Sequence, residues 1–338
     1  MENVLVLAHP DAAGALPKAA LEALSAARVL AAGGQVTAAV FGADPSAAAA
    51  ALAATGVAKV RVARDPALAQ PRYATDAAAA AALVKASGAT VVVVPATSRL
   101  ARVAAGVAAR VGGKVDSHVA AVTPEGAITR WTYRQRIEAT LKRTDRPWFL
   151  LVDPGAFPAA APAGGAAPVE DVAVALPAAR TTVEGERAPA SGEQTIKPDA
   201  KLLFVAGAGW TKKQADGQLH AEEAEGLVKG FLAASGASLG SSKSLVDQAG
   251  EGHKVFGFMT HLNQIGQTGA TPRHAKGLST CCHGEEPHVV GWRFIRERRA
   301  VSLDANCGWA RGKADVVYVA DAFQVIAKLN ALLGASSR

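Results

Sequence analysis

Gln264-Ile265-Gly266-Gln267-Thr268-Gly269 lies at the centre of the stretch, residues 239–321, on which the reading of this chain turns. Glycines enclose a pair of hydrogen-bonding side chains, in a segment with neither helical nor strand period. Glycine lets a backbone come close to a ligand, and Gln and Thr supply donors and acceptors of adjustable geometry. Upstream stands Gly240-Ser241-Ser242-Lys243, followed by Val246-Asp247; downstream come His283-Gly284 and then His288. Val301-Ser302-Leu303-Asp304 and Val316-Val317-Tyr318-Val319-Ala320-Asp321 each read as an apolar strand ending in an acid. Strand ends carrying Asp beside Gly-rich turns are where an α/β sheet binds nucleotides. Each motif alone reads as an ordinary polar loop; the ordered set reads as a site.

Outward from that stretch, the N-terminal half alternates apolar runs with Ala-rich segments of helical spacing. Strands are expected at 3–7, 36–41, 57–62 and 91–94, with helices over 16–30, 46–54, 73–87 and 98–111. Gly33-Gly34, Gly88 and Gly112-Gly113 stop three of those helices. This alternation predicts a mostly parallel, doubly wound sheet. From 120 to 152 the texture shifts to short runs that read as antiparallel strands joined by turns. Residues 154–198 are rich in Pro, Ala, Gly and Glu, and their later part reads as a linker. A second α/β unit opens at Leu202-Leu203-Phe204-Val205 and Gly207-Ala208-Gly209. It has a helix over 222–234, a polar loop over 210–220, and a closing helix from Ala322. The expected organisation is an α/β protein of two domains, 1–180 and 201–338, joined by a hinge at 181–200.

Bulk composition narrows the function. The 338 residues are half hydrophobic, with 5% aromatics and a net charge of +7. Positive charge clusters at 130–146 and 293–299, but no helix-turn-helix, zinc-finger or RNA-recognition signature accompanies it, so nucleic acid is not the expected partner. Three cysteines, Cys281, Cys282 and Cys307, form no disulfide framework and point to a reducing, cytoplasmic setting. Adjacent cysteines lack the spacing of a zinc or iron–sulfur site, so no metal is expected. No run of about 20 strongly apolar residues predicts a transmembrane segment.

In motif order the sequence resembles the alpha subunit of electron transfer flavoproteins. The likeness is carried by Gly240-Ser241-Ser242-Lys243 through Val246-Asp247, by the intact Gly266-Gln267-Thr268-Gly269, by His283-Gly284 through His288, and by Ala314-Asp315 through Val319-Ala320-Asp321. The resemblance implies FAD in the C-terminal domain and a beta-subunit partner carrying AMP or a second FAD. It further implies a flavin dehydrogenase as electron donor and a membrane-bound quinone reductase as acceptor, so a redox carrier of the respiratory chain rather than a substrate-converting enzyme. By the same resemblance Lys243, standing where the family has Arg, supplies the cation that tunes the flavin. Ser242, Gln267 and Thr268 hydrogen-bond the ring, and Ile265, Gly266 and Gly269 lie against it. His288 reaches its O2 edge or the ribityl chain, and His283 and Gly284 hold the pyrophosphate. Asp304, Asp321 and Ala322 border the adenosine. Glu285-Glu286-Pro287 departs from the family at the pyrophosphate turn. The alternative reading is a nucleotide-binding regulatory or scaffold subunit whose flavin site has degenerated.

Overall fold

Val4–Ala8 forms the first strand, β1, with all five residues buried. The computed structural model describes residues 2–133, 137–185, 196–197, 200–248, 256–265, 274–280 and 295–336. Helix α1 (Lys18–Ala31), β2 (Val36–Gly42), α2 (Ser46–Ala53), β3 (Val60–Arg64), α3 (Tyr73–Ser87), β4 (Val91–Pro95) and α4 (Ser98–Val111) follow in strict alternation. Val4, Val6 and Ala8 pack under α1 and α2, whereas Leu5 and Leu7 pack under α3 and α4. This two-sided burial explains the unbroken apolar strands. Helix α3 meets the sheet through Ala77, Ala79, Ala80 and Ala81, which are small enough for close approach. It ends at Gly88, whose φ of 61° is the left-handed cap that glycine adopts without strain.

Strands β5 (Lys114–Val122), β6 (Ile128–Thr132) and β7 (Ile137–Leu141) form an antiparallel extension. The expectation that Trp148–Val152 belongs with them is corrected. As β8 it lies between β4 and β5 and runs parallel to both. Its five residues are all buried, as a strand covered on both faces requires, and that continuous apolar run distinguishes it from the half-exposed hairpin. A last short strand, β9 (Val169–Asp171), pairs with β3, so the described strands run in the order β7-β6-β5-β8-β4-β1-β2-β3-β9. The chain divides into two compact units, Met1–Glu186 and Arg187–Arg338. Most of the expected hinge, 186–195 with 198–199, lies outside the described residues.

The second unit contains β10 (Leu202–Ala206), α5 (Ala221–Ser235), β11 (Ser238–Ser241), α6 (Lys243–Asp247), β12 (His274–Thr280), β13 (Ile295–Ser302), α7 (Gly308–Lys313), β14 (Val316–Val319) and α8 (Ala322–Ser336). Its described strands are all parallel, in the order β11-β10-β12-β13-β14. Phe204 and Ala206 face a core built with α5 and α8, while Leu203 and Val205 face Ile265 and Ile295 on the other side. Two strands went unread in the sequence. β11 overlaps the polar Gly240-Ser241-Ser242-Lys243 motif, and β12, His274-Ala275-Lys276-Gly277-Leu278-Ser279-Thr280, is too polar to show a strand pattern. Residues 210–220, expected as loop, begin as a 3-10 turn, Ala208–Thr211, that buries Trp210 completely. β14 is the last of the described strands in this order, and its Val316, Tyr318 and Val319 are exposed.

Candidate functional site at the strand ends of the second sheet

From β10 the chain passes to β11 on one side and then crosses back to β12 on the other. The strand order therefore reverses at β10, and in open α/β sheets the crevice outside the carboxyl ends at such a reversal is where ligands bind. The rim is held by backbone bonds. Gly207 N donates to Thr280 O at 2.9 Å, Ser242 N to Ala206 O at 2.9 Å, and Ile265 N to Ser241 O at 3.1 Å.

Ser242, Lys243 and Ile265 are gathered at the end of β11. Ser242 is buried and caps α6, its Oγ accepting from Leu245 N at 3.3 Å. That leaves the hydroxyl proton able to donate elsewhere. Lys243 is the first residue of α6, and its Nζ lies 3.2 Å from Asp247 Oδ2 one turn on. Asp247 also accepts from His261 Nε2 at 3.0 Å through Oδ1. These contacts, the histidine's first and then the lysine's, hold the Asp247 carboxyl below the usual carboxylate range. Ile265 packs its side chain with Leu203, Val205 and Ile295. Gly240 lies beneath it, where an added Cβ would come within 2.5 Å of Ile265 Cδ1.

Asp304 and Asp321 stand at the ends of β13 and β14. Asp304 is exposed and accepts from Asn306 N at 2.8 Å. Asp321 caps α8, with Oδ1 accepting from Phe323 N at 2.7 Å and Gln324 N at 3.3 Å. Ala322 is a buried core residue of the same helix start. Asp321, Ala322 and Phe323 line a small crevice with Gln214, Val301 and Leu303. Gln214 was not foreseen, because nothing in its polar surroundings sets it apart. His261 was missed too, although the Lys243/Asp247 spacing was open to reading as a helical ion pair. Gly266, Gln267, Thr268, Gly269, His283, Gly284 and His288 lie outside the described residues.

The rim suits a ligand rich in hydrogen-bonding groups. Ser241 is 1% exposed and its Oγ has no hydrogen-bond partner among the described residues, a cost that a bound acceptor or donor would relieve. Among the described residues no group of three or more His, Cys, Asp or Glu could hold a metal ion. Nor is any helix among them long and apolar enough to cross a membrane.

Residues 4–177 match the electron transfer flavoprotein domain. The chain is also 30% identical over 243 residues to the electron transfer flavoprotein subunit alpha of Bradyrhizobium diazoefficiens, covering 72% of this chain and 71% of that one. This chain belongs to the electron transfer flavoprotein alpha-subunit family. The matched domain falls within the first unit, whereas the candidate site is in the second.

Proposed function

We propose that this chain is the FAD-binding alpha subunit of a heterodimeric electron transfer flavoprotein. In this reading it takes electrons from a flavin-dependent dehydrogenase in the cytoplasm and delivers them to a membrane-bound quinone reductase. The observation that carries the reading is the reversal of strand order at β10, with Ser241, Ser242 and Lys243 on its rim, in a member of this family. When bound, the isoalloxazine ring supplies the chemistry by accepting and releasing electrons.

The protein's part is to hold and polarise. Ser242 donates its spare proton to a ring acceptor, and the Lys243 ammonium favours the extra negative charge of the reduced state. Gln267 and Thr268 would hydrogen-bond the ring, with Gly266 and Gly269 giving room and Ile265 supporting the rim from the core. His288 would contact the ring or ribityl chain, and the backbone of His283 and Gly284 would hold the pyrophosphate. Asp304 and Asp321 each keep carboxylate capacity beyond their turn and capping bonds, so both can accept from ribose hydroxyls. The apolar side chains Val316, Tyr318 and Val319, exposed among the described residues, support a chain that works with a partner.

The test is co-expression with an electron transfer flavoprotein beta subunit, followed by absorbance and analysis of nucleotide released on denaturation. One FAD from the alpha chain, with AMP or a second FAD from its partner, is the expected result. A colourless complex would favour a scaffold subunit with a degenerate site.

A further inference from the structure

Asp247 is shared. Its Oδ2 faces Lys243 Nζ at 3.2 Å and its Oδ1 faces His261 Nε2 at 3.0 Å. Lys243 and Asp247 are one turn apart on α6, but His261 comes from a separate 3-10 turn, His261–Asn263. That turn is pinned. Thr260 and Asn263 form a reciprocal cap, and Asn263 Nδ2 donates to Leu239 O of β11 at 3.4 Å. Just beyond it, Gln264 bridges to Ser241 and Ile265 N bonds Ser241 O. The imidazole is thus carried to Asp247 by the backbone that forms the rim.

We infer that His261 is a positioning residue that, through Asp247, sets how much positive charge Lys243 presents at the end of β11. With the imidazole neutral, Asp247 offsets Lys243 and the trio has no net charge. With the imidazole protonated, the trio carries one positive charge. Imidazole is the side chain that makes this change near neutral pH. Among the described residues, the Ala208–Thr211 turn that also packs on α6 carries no charged side chain, and Lys212 follows directly after it. Side-chain exposures of 51% for Lys243, 34% for Asp247 and 55% for His261 make these pairs minor contributors to stability. Their consequence is the local field.

The inference rests on the flavin reading, because the field matters through the charge of a reduced ring at this rim. The test uses the FAD-loaded heterodimer, titrated redox-wise at pH 6 and pH 8 in wild type, His261→Gln and Asp247→Asn. The expected result is a higher wild-type potential than His261→Gln at pH 6, converging at pH 8, with Asp247→Asn above wild type at pH 8. In the flavin-free protein, NMR of the Asp247 carboxyl carbon should place its titration nearer the ordinary value of 3.8 in His261→Gln than in wild type. Equal potentials at both pH values in a complex that binds FAD would overturn the relay and leave the flavin reading standing. An unchanged Asp247 titration would overturn the coupling itself. A wild-type complex that binds no FAD would remove the reading and the relay together.

Discussion

Trp210 Nε1 donates to Thr280 Oγ1 at 2.8 Å, and Thr280 Oγ1 in turn bonds Val205 O at 3.2 Å. One buried hydroxyl therefore joins the turn after β10 to the end of β12 across the point where the strand order reverses. Phe323 of α8 packs on the same indole at 4.7 Å between ring centroids. Replacing Thr280 by Val keeps the shape and leaves the indole N–H without this acceptor. The expected cost is about 1–3 kcal/mol. Urea unfolding followed by tryptophan fluorescence measures it, and an unchanged midpoint would show that the bond is dispensable.

Gly240→Ala is expected to destabilise the second unit by about 1–3 kcal/mol, because its new methyl meets Ile265 Cδ1 and Cγ1 within 3 Å. Ile265→Ala removes both of those atoms. The double variant should therefore be more stable than the sum of the two single losses implies, and additive losses would place the clash elsewhere.

In the first unit, Asp116 is completely buried on β5. It accepts from Arg130 Nη1 at 2.8 Å, from Trp148 Nε1 at 2.8 Å and from the Arg143 guanidinium. Asp116→Ala strips two cations and an indole of one partner, with an expected loss of about 3 kcal/mol or more. Asp116→Asn retains an acceptor for the indole and should lose less. Thermal unfolding of both variants decides it.

Stability should fall on the acid side in two stages. Burial lowers the titration of His9 from the ordinary 6.5 while Pro10 O and Thr97 Oγ1 hold its ring at 2.6 and 2.9 Å. Between the two values the unfolded chain binds more protons, so this contribution is full above pH 6.5 and is lost as pH drops below it. Burial pushes the Asp116 carboxyl up, but Arg143, Trp148 and Arg130 outweigh it and leave the carboxyl lowered from 3.8. Its contribution is present above that value and is lost as pH falls through the folded one. Melting temperatures from pH 8 to pH 3 should show both stages, and His9→Gln should flatten only the first.

How far the sequence reveals this molecule depends on which side of each strand is wet. The helices Tyr73–Ser87 and Ser98–Val111 are legible to the residue, because glycines stop both and the Val91–Val94 run precedes the second. The position of β8 was not, since a five-residue apolar run carries no mark of its neighbours' direction. β12 was invisible: Ala275 and Lys276 are exposed and Gly277 is buried without a side chain, so burial leaves no alternation to read. At the site, the sequence marks Ser242, Lys243 and Asp321 as polar residues beside strand ends. It does not disclose that Ser242 and Asp321 also cap helices, that Ile265 belongs to the core, or that His261 shares Asp247 with Lys243. Those facts depend on contacts between segments 14 or more residues apart, or on a cap already formed.

The placement of His274–Thr280 between β10 and β13 bears on how the chain is made. A growing polypeptide that has emerged only to residue 265 has β10 and β11 in hand, with one flank of β10 still bare. Translation at about 5–20 residues per second leaves that flank waiting for the remaining strands while the N-terminal sheet is already complete. The second unit is therefore the one that chaperones would be expected to shield during synthesis.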